Sequence, residues 1–282
     1  MSEQLVYISD YFLEDVVGGA ELNDYELCKL LATDGHDIKR IHSQHVTESF
    51  LQKNKNSKII LSNFTLLKSS IKDDIANNFH YVIYEHDHKY VRSRNPNDYA
   101  DYIVPAEKII NFSLYKNAAT VFCQSNFHKT IVKNNLKINN IFNLSGNLWS
   151  DKSLNLMQDL SSRTKKDKCS ILDSSTPHKN TRKAVFFCKS KNYDYDLISA
   201  SVPDDFLSLL SSNKRLVFFP QTPETLSRVC VEARMMGVEL IVSKNVGAVH
   251  EEWISLKGET LVSFMKNKKT EIKNKVVSVL YE

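Results

Sequence analysis

The chain has 282 residues, 42% of them hydrophobic and 25% charged, with a formal net charge of +4, a composition that suits two globular domains with real cores and excludes a disordered chain. No apolar run approaches the ~20 residues of a membrane-spanning helix, and MSEQLVYISD carries no basic stretch followed by a hydrophobic one, so a cytoplasmic protein is expected. Five cysteines, Cys28, Cys123, Cys169, Cys188 and Cys230, are scattered without a C-x-x-C pair, which speaks against a disulfide framework or a thiolate zinc site and for small buried side chains.

In chain order, Leu5–Ser9 reads as the first strand, and a loop over residues 10–17 leads to Gly18-Gly19-Ala20-Glu21. Leu22, Tyr25, Leu27, Cys28, Leu30 and Leu31 then give a helix its apolar face. A glycine pair between strand and helix lets backbone approach a ligand with no Cβ in the way. Residues 38–41 and 58–61 read as strands, with helical connections over 46–53 and 64–77. Strands alternating with helices imply a parallel, doubly wound α/β sheet.

The next strand, Tyr81–Tyr84, runs into Glu85-His86-Asp87-His88, and ligands bind beyond the carboxyl ends of such strands. His86 and His88 share one face of an extended chain, yet no further ligand pair lies nearby, so no metal is expected. A loop of hydrogen-bonding histidines and an acceptor-binding segment remain as readings. A helix is expected over 106–114, a strand over 119–123, a cap at Gln124-Ser125-Asn126 with a helix over 127–135, and a strand over 141–144. This closes a first domain over residues 1–150. Residues 151–168, rich in Ser, Lys and Asp, read as a linker.

The second domain, 169–282, opens on a strand over 169–172 and the loop DSSTPH, with a helix expected over 179–189, a strand at Tyr195–Ile198 and a helix over 204–210. Val217-Phe218-Phe219 form a short apolar strand stopped by Pro220 and Pro223. A helix is expected to open at Glu224-Thr225-Leu226-Ser227, where its unpaired N–H groups would seat a phosphate. Glu232 follows eight residues later, about 12 Å further at the helical rise, and Gly237 stops the helix. A second apolar strand ends near Ser243, and residues 251–254 and 259–280 read as helical. Basic residues gather at Arg163, Lys165, Lys166 and Lys168 and again at Lys266, Lys268, Lys269, Lys273 and Lys275; a solvated helix face is the simplest account of the second cluster, with anionic membrane lipid or nucleic acid as alternatives.

The E-x7-E spacing of Glu224 and Glu232, followed by EARMMG and a strand, together with GGAE after the first strand, resembles the donor-binding motifs of retaining GT-B glycosyltransferases of the family 4-like group. The resemblance implies two Rossmann-like doubly wound domains facing across a cleft, the second shortened here, with a terminal helix crossing back to the first. It implies transfer of a sugar from a nucleotide diphosphate sugar to an acceptor hydroxyl with retained anomeric configuration, in glycan or glycolipid synthesis, without metal or cofactor. Glu224 would meet the donor sugar, Glu232 the ribose hydroxyls, and Thr225, Leu226 and Ser227 the diphosphate, with Gly18 and Gly19 beside the phosphates. Glu85, His86, Asp87 and His88 would meet a saccharide or lipid acceptor, with His86 orienting or deprotonating its hydroxyl. The family's Arg and Lys after the first strand of the second domain are not both in place: Lys179 fits the lysine, while the arginine position holds Asp173 or Ser174, with Arg182 or Lys183 as replacements.

Other classes stay open. A nicotinamide-binding oxidoreductase would need G-x-G-x-x-G in the first turn, which is absent. A non-catalytic nucleotide-sugar binder and a glycosyltransferase acting on a modified DNA base, as in some viruses, fit the same motifs.

Overall fold

The structure is a computed structural model that describes residues 4–282; residues 1–3 of the expected first domain lie outside the described residues. The chain divides into two units, residues 1–148 with 269–282, and residues 149–268.

In the first unit β1 (Leu5–Ser9), α1 (Gly19–Thr33), β2 (Ile38–His42), α2 (Glu48–Lys53), β3 (Lys58–Leu61), α3 (Ser69–Asn78), β4 (Tyr81–Tyr84), α4 (Phe112–Asn117), β5 (Thr120–Cys123), α5 (Asn126–Leu136) and β6 (Ile141–Asn143) alternate. The strands form one sheet in the order β2-β1-β3-β4-β5-β6, with every pairing parallel. Alternation along the strands sorts the core into two layers. Val6, Ile8, Ile59, Leu61, Ile83 and Val121 pack on one face with residues of α2, α3, α4 and α5. Leu5, Tyr7, Ile60, Val82, Tyr84 and Phe122 pack on the other with Leu27 and Leu31 of α1. Because both faces are covered, the strands read as apolar runs and not as alternating ones.

The second unit holds α6 (Asp151–Ser161), β7 (Lys166–Leu172), α7 (Thr181–Ser190), β8 (Tyr195–Ile198), α8 (Pro203–Leu210), β9 (Asn213–Phe218), α9 (Arg228–Met235) and β10 (Glu239–Val242). Its four strands run in the order β10-β9-β7-β8, again all parallel. Leu216 and Phe218 face a large core with residues of α6, α8 and α9, whereas Cys169, Ile171 and Val217 meet Ala184 and Cys188 of α7. The last helix, α10 (Gly258–Tyr281), gives Leu261, Val262 and Met265 to the second unit's core and Ile272, Val276 and Val279 to the first's. Among the described residues no helix is long and apolar enough to cross a membrane.

Three expectations need correction. The linker at 151–168 is instead α6 and the start of β7: Ser150 caps the helix by accepting from the Ser153 N–H at 3.0 Å, and Leu154 and Met157 are buried on its inner face. The Ser, Lys and Asp that suggested a linker occupy its outer face and its end. The helix expected to open at Glu224 begins only at Arg228. Glu224 is held extended, its N–H donating to the Asn245 carbonyl at 2.7 Å and its carbonyl accepting from Gly247 N–H at 3.0 Å, so it shares no helix with Glu232. The helix expected from residue 179 is preceded by a 3-10 turn, and Asn180, with φ of 57°, separates the two.

The terminal basic cluster is largely engaged within the fold. Lys273 pairs with Asp34, Lys266 donates to Asn155 at 3.1 Å, and the Lys275 ammonium stands 5.0 Å from the centre of the Phe142 ring.

Candidate functional site

In the second unit the sheet order reverses at β7, with β8 on one side and β9 on the other. The crevice beyond the carboxyl ends of the strands at such a reversal is where open parallel sheets bind ligands. Three loops are tied together there. Asn180 Nδ2 donates to the Phe219 carbonyl at 3.0 Å, Gln221 N–H to the His178 carbonyl at 2.8 Å, and Asn245 Nδ2 to the Pro220 carbonyl at 3.1 Å. Thr181 Oγ1 donates to the Leu172 carbonyl at 2.7 Å, which closes the loop after β7 onto its own strand.

A cavity of about 440 Å³ opens between the 174–177 segment, the Asn180-Thr181-Arg182 start of α7, and Gln221. The start of α7 thus lines it with the positive end of the helix dipole. Arg182 also lines it, whereas the Lys183 ammonium stands 5.8 Å from the centre of the Phe219 ring. Of the two candidates for the missing cation, Arg182 is the one at the cavity.

Lys179 Nζ donates to Glu224 Oε1 at 2.9 Å, the side chains being 32% and 15% exposed. These two residues, 45 positions apart, are brought together by the loops after β7 and β9. Thr225 and Ser227 are buried, and Ser227, with φ of 74°, turns the chain into α9. Glu232 is placed by other partners: its Oε1 accepts from Trp149 Nε1–H at 2.8 Å and lies 3.5 Å from Arg228 Nε. Sequence reasoning missed Trp149 and Arg228; the Arg228–Glu232 pair is legible as an i,i+4 spacing, whereas nothing local points from Trp149 to residue 232. Cys230, beside them, has its thiol pushed up to about 12 by burial and is no nucleophile.

The first unit presents Gly18 and Gly19 at the start of α1, where a Cβ on Gly18 would overlap the Glu21 carboxylate. Burial raises the Glu21 carboxyl above its ordinary value. The Glu85-His86-Asp87-His88 segment does not behave as a surface for an acceptor. Glu85 is 0% exposed, pairs with Lys89 and accepts from the Tyr115 hydroxyl. His88 is 1% exposed, with Nδ1 3.2 Å from the Tyr90 hydroxyl. Both belong to the unit's interior, which corrects the expectation for these two residues. His86 is also enclosed, its side chain 5% exposed. Gln124 Nε2 donates to its Nδ1 at 2.6 Å and its Nε2–H donates to Asp24 Oδ1 at 2.6 Å. The Gln124 amide is oriented by Nε2 facing the Glu85 carbonyl and Oε1 facing Asn147 Nδ2, each at 3.4 Å. Both imidazole nitrogens thus have protein partners, which hold the ring in one orientation.

Asp87 keeps a side chain 28% exposed, and it bonds Lys89 at 3.0 Å and Arg94 at 3.1 Å. Burial pushes its carboxyl upward, and Lys89 and Arg94 outweigh that to hold it at about 2. A depressed folded pKa contributes stability above the unfolded value near 4 that is lost as pH falls toward about 2. The expected acid limb is of the order of 2 kcal/mol; urea titrations between pH 5 and 2 should show a shallower limb in Asp87→Asn, and equal slopes would refute the assignment.

No family model matches the sequence, and no curated protein does. Among solved structures, an α,α-trehalose-phosphate synthase (UDP-forming) from Burkholderia vietnamiensis is similar at 7% identity and a TM-score of 0.57, over 100% of this chain and 94% of that one. The catalytic domain of starch synthase IV from Arabidopsis thaliana, bound to ADP and acarbose, is similar at 10% identity and 0.54, over 99% and 94%. Anabaena Alr3699/HepE in complex with UDP-glucose is similar at 13% identity and 0.53, over 98% and 92%. At these identities the likeness is one of fold, and the chain has the GT-B fold of two Rossmann-like units.

Proposed function

We propose that the chain transfers a sugar from a nucleotide diphosphate sugar to an acceptor hydroxyl with retention of anomeric configuration. The observation that carries this reading is the Lys179–Glu224 pair beside a cavity at the β7/β9 reversal, lined by Arg182 and the start of α7. A cation pair and a helix N-terminus take the diphosphate. Glu224 meets hydroxyls of the donor sugar, Glu232 those of the ribose, and the Thr225, Leu226 and Ser227 backbone lies along the phosphates.

In this reaction the acceptor oxygen bonds to the anomeric carbon on the face from which the diphosphate oxygen leaves. The hydroxyl proton passes to that departing oxygen, so no protein nucleophile is needed. Lys179 and Arg182 supply the charge neutralisation, without a metal ion, and His86 is a positioning residue locked by Asp24 and Gln124.

Calorimetry and product analysis test the reading. Glu232→Ala should weaken binding of the free nucleoside diphosphate by about 1.5–3 kcal/mol, the range for hydrogen bonds to charged groups. Glu224→Gln should change that affinity less than Glu232→Ala does and lower transfer about tenfold, a loss of about 1.4 kcal/mol in transition-state binding. Equal losses of nucleotide affinity in both variants would mean the donor lies elsewhere. An inverted anomeric proton coupling in the product by NMR would remove the retaining mechanism.

A further inference from the structure

Trp149 is 1% exposed, and its indole N–H is spent on Glu232 Oε1 at 2.8 Å. Arg228, one turn before Glu232 on α9, lies with its guanidinium carbon 4.6 Å from the centre of the Trp149 ring and its Nε 3.5 Å from the same carboxylate oxygen. The aromatic face therefore carries the cation, the ring edge donates to the anion, and the cation approaches the anion from the side. Glu232 and Arg228 are only 12% and 13% exposed. A glutamate this far from water needs its rotamer held if it is to present a defined edge to a ligand, and two of its χ angles are otherwise free to rotate.

Each carboxylate oxygen accepts two hydrogen bonds. The indole takes one position on Oε1 and fixes the plane of the group, and the remaining in-plane positions match two neighbouring hydroxyls of one ring. We propose that Trp149 is a positioning residue for nucleotide recognition: its N–H locks Glu232 so that the carboxylate accepts from both the 2′ and 3′ hydroxyls of a ribose, and it thereby sets the preference for ribonucleotides over 2′-deoxyribonucleotides. This rests on the placement of the donor ribose at Glu232 given above. The 2′ hydroxyl is the group most sensitive to the lock, because a rotated carboxylate keeps one hydroxyl and loses the other.

The test is calorimetry with UDP and 2′-deoxy-UDP on the full chain, comparing wild type, Trp149→Phe and Glu232→Ala. Phenylalanine keeps a ring for Arg228 and removes only the N–H. Wild type should prefer the ribonucleotide, and Trp149→Phe should lose about tenfold of that preference, the worth of one hydrogen bond to a charged group, through weaker UDP binding at unchanged 2′-deoxy-UDP affinity. If Trp149→Phe keeps the wild-type ratio, or weakens both ligands equally, while Glu232→Ala abolishes the ratio, the role of Trp149 is overturned and the donor site stands. If Glu232→Ala also keeps the ratio, or wild type shows no preference, the donor site itself is wrong. Should Trp149→Phe fail to fold, the wild-type indole N–H resonances decide: with two tryptophans in the chain, Trp253→Phe identifies the Trp149 signal. At saturation that signal should shift further with UDP than with 2′-deoxy-UDP, which brings one ribose hydroxyl instead of two; equal shifts with both overturn the proposal.

Discussion

Replacing Lys179 by alanine is expected to lower the turnover of sugar transfer by about 10²–10³, the usual loss when one preorganised donor to a developing oxyanion is removed. As the bond from the anomeric carbon to the diphosphate breaks, negative charge collects on the departing oxygen. The Lys179 ammonium is aimed by its 2.9 Å bond to Glu224 and stands 5.7 Å from the centre of the Phe218 ring, which narrows its directions before the substrate arrives. Preorganisation of this kind costs no rearrangement during the reaction. The fold should tolerate the change, because Lys179 is 32% exposed and an ion pair in contact with water is worth about 1 kcal/mol or less. Arg182→Ala should cost less, about tenfold, since its planar group shares the diphosphate with the N–H groups of α7. Steady-state kinetics with saturating donor separate the cases. A Lys179→Ala enzyme with normal kcat and only a raised KM would show that the lysine binds ground state and transition state alike.

Much of this site is legible in the sequence because parallel α/β units concentrate function at loops that follow short apolar strands. The strands at Leu5–Ser9, Tyr81–Tyr84 and Tyr195–Ile198 stand where their apolar or β-branched runs place them. Lys179 and Glu224 are legible for the same reason, each lying a few residues past such a strand. What the sequence hides is pairing through the backbone. Glu224 looks like a first-turn helix acid, yet its peptide group is claimed by Asn245 and Gly247 on a loop some 20 residues later, and that contact delays the helix to Arg228. Residues 151–161 look like a linker because a helix with one buried edge needs few apolar residues, here Leu154 and Met157 as its fully buried ones. The Glu85-His86-Asp87-His88 run is hidden differently. Its polar composition suggests a surface, and only the arrival of Lys89, Tyr115, Asp24 and Gln124 from other positions explains how those groups are satisfied inside.

That interior is where the largest loss of stability is expected. Lys89→Met should destabilise the first unit by about 3–5 kcal/mol, the cost of leaving a buried charge without its partner. Lys89 is 1% exposed and its ammonium serves Glu85, Asp87 at 3.0 Å and Asn63 at 3.3 Å. Burial alone lowers its pKa, and Asp87 and Glu85 more than reverse this, so its contribution is complete below the ordinary lysine value and is lost only as pH climbs past it. Methionine fills similar space without charge, leaving Glu85 with the Tyr115 hydroxyl and the Asp87 N–H, the latter at 3.1 Å. The neutral double variant Glu85→Gln/Lys89→Met should therefore be more stable than Lys89→Met alone, since its glutamine needs no counter-charge. Burial already raises the Glu85 carboxyl in the wild type, and loss of the lysine raises it further. A carboxyl whose folded pKa is raised binds its proton more tightly in the folded state. Lys89→Met should then gain more stability than the wild type does as pH falls from 7 toward 5. Urea denaturation across that range decides it: a Lys89→Met protein within about 1 kcal/mol of wild type at pH 7 would place Lys89 among surface-like ion pairs of small worth.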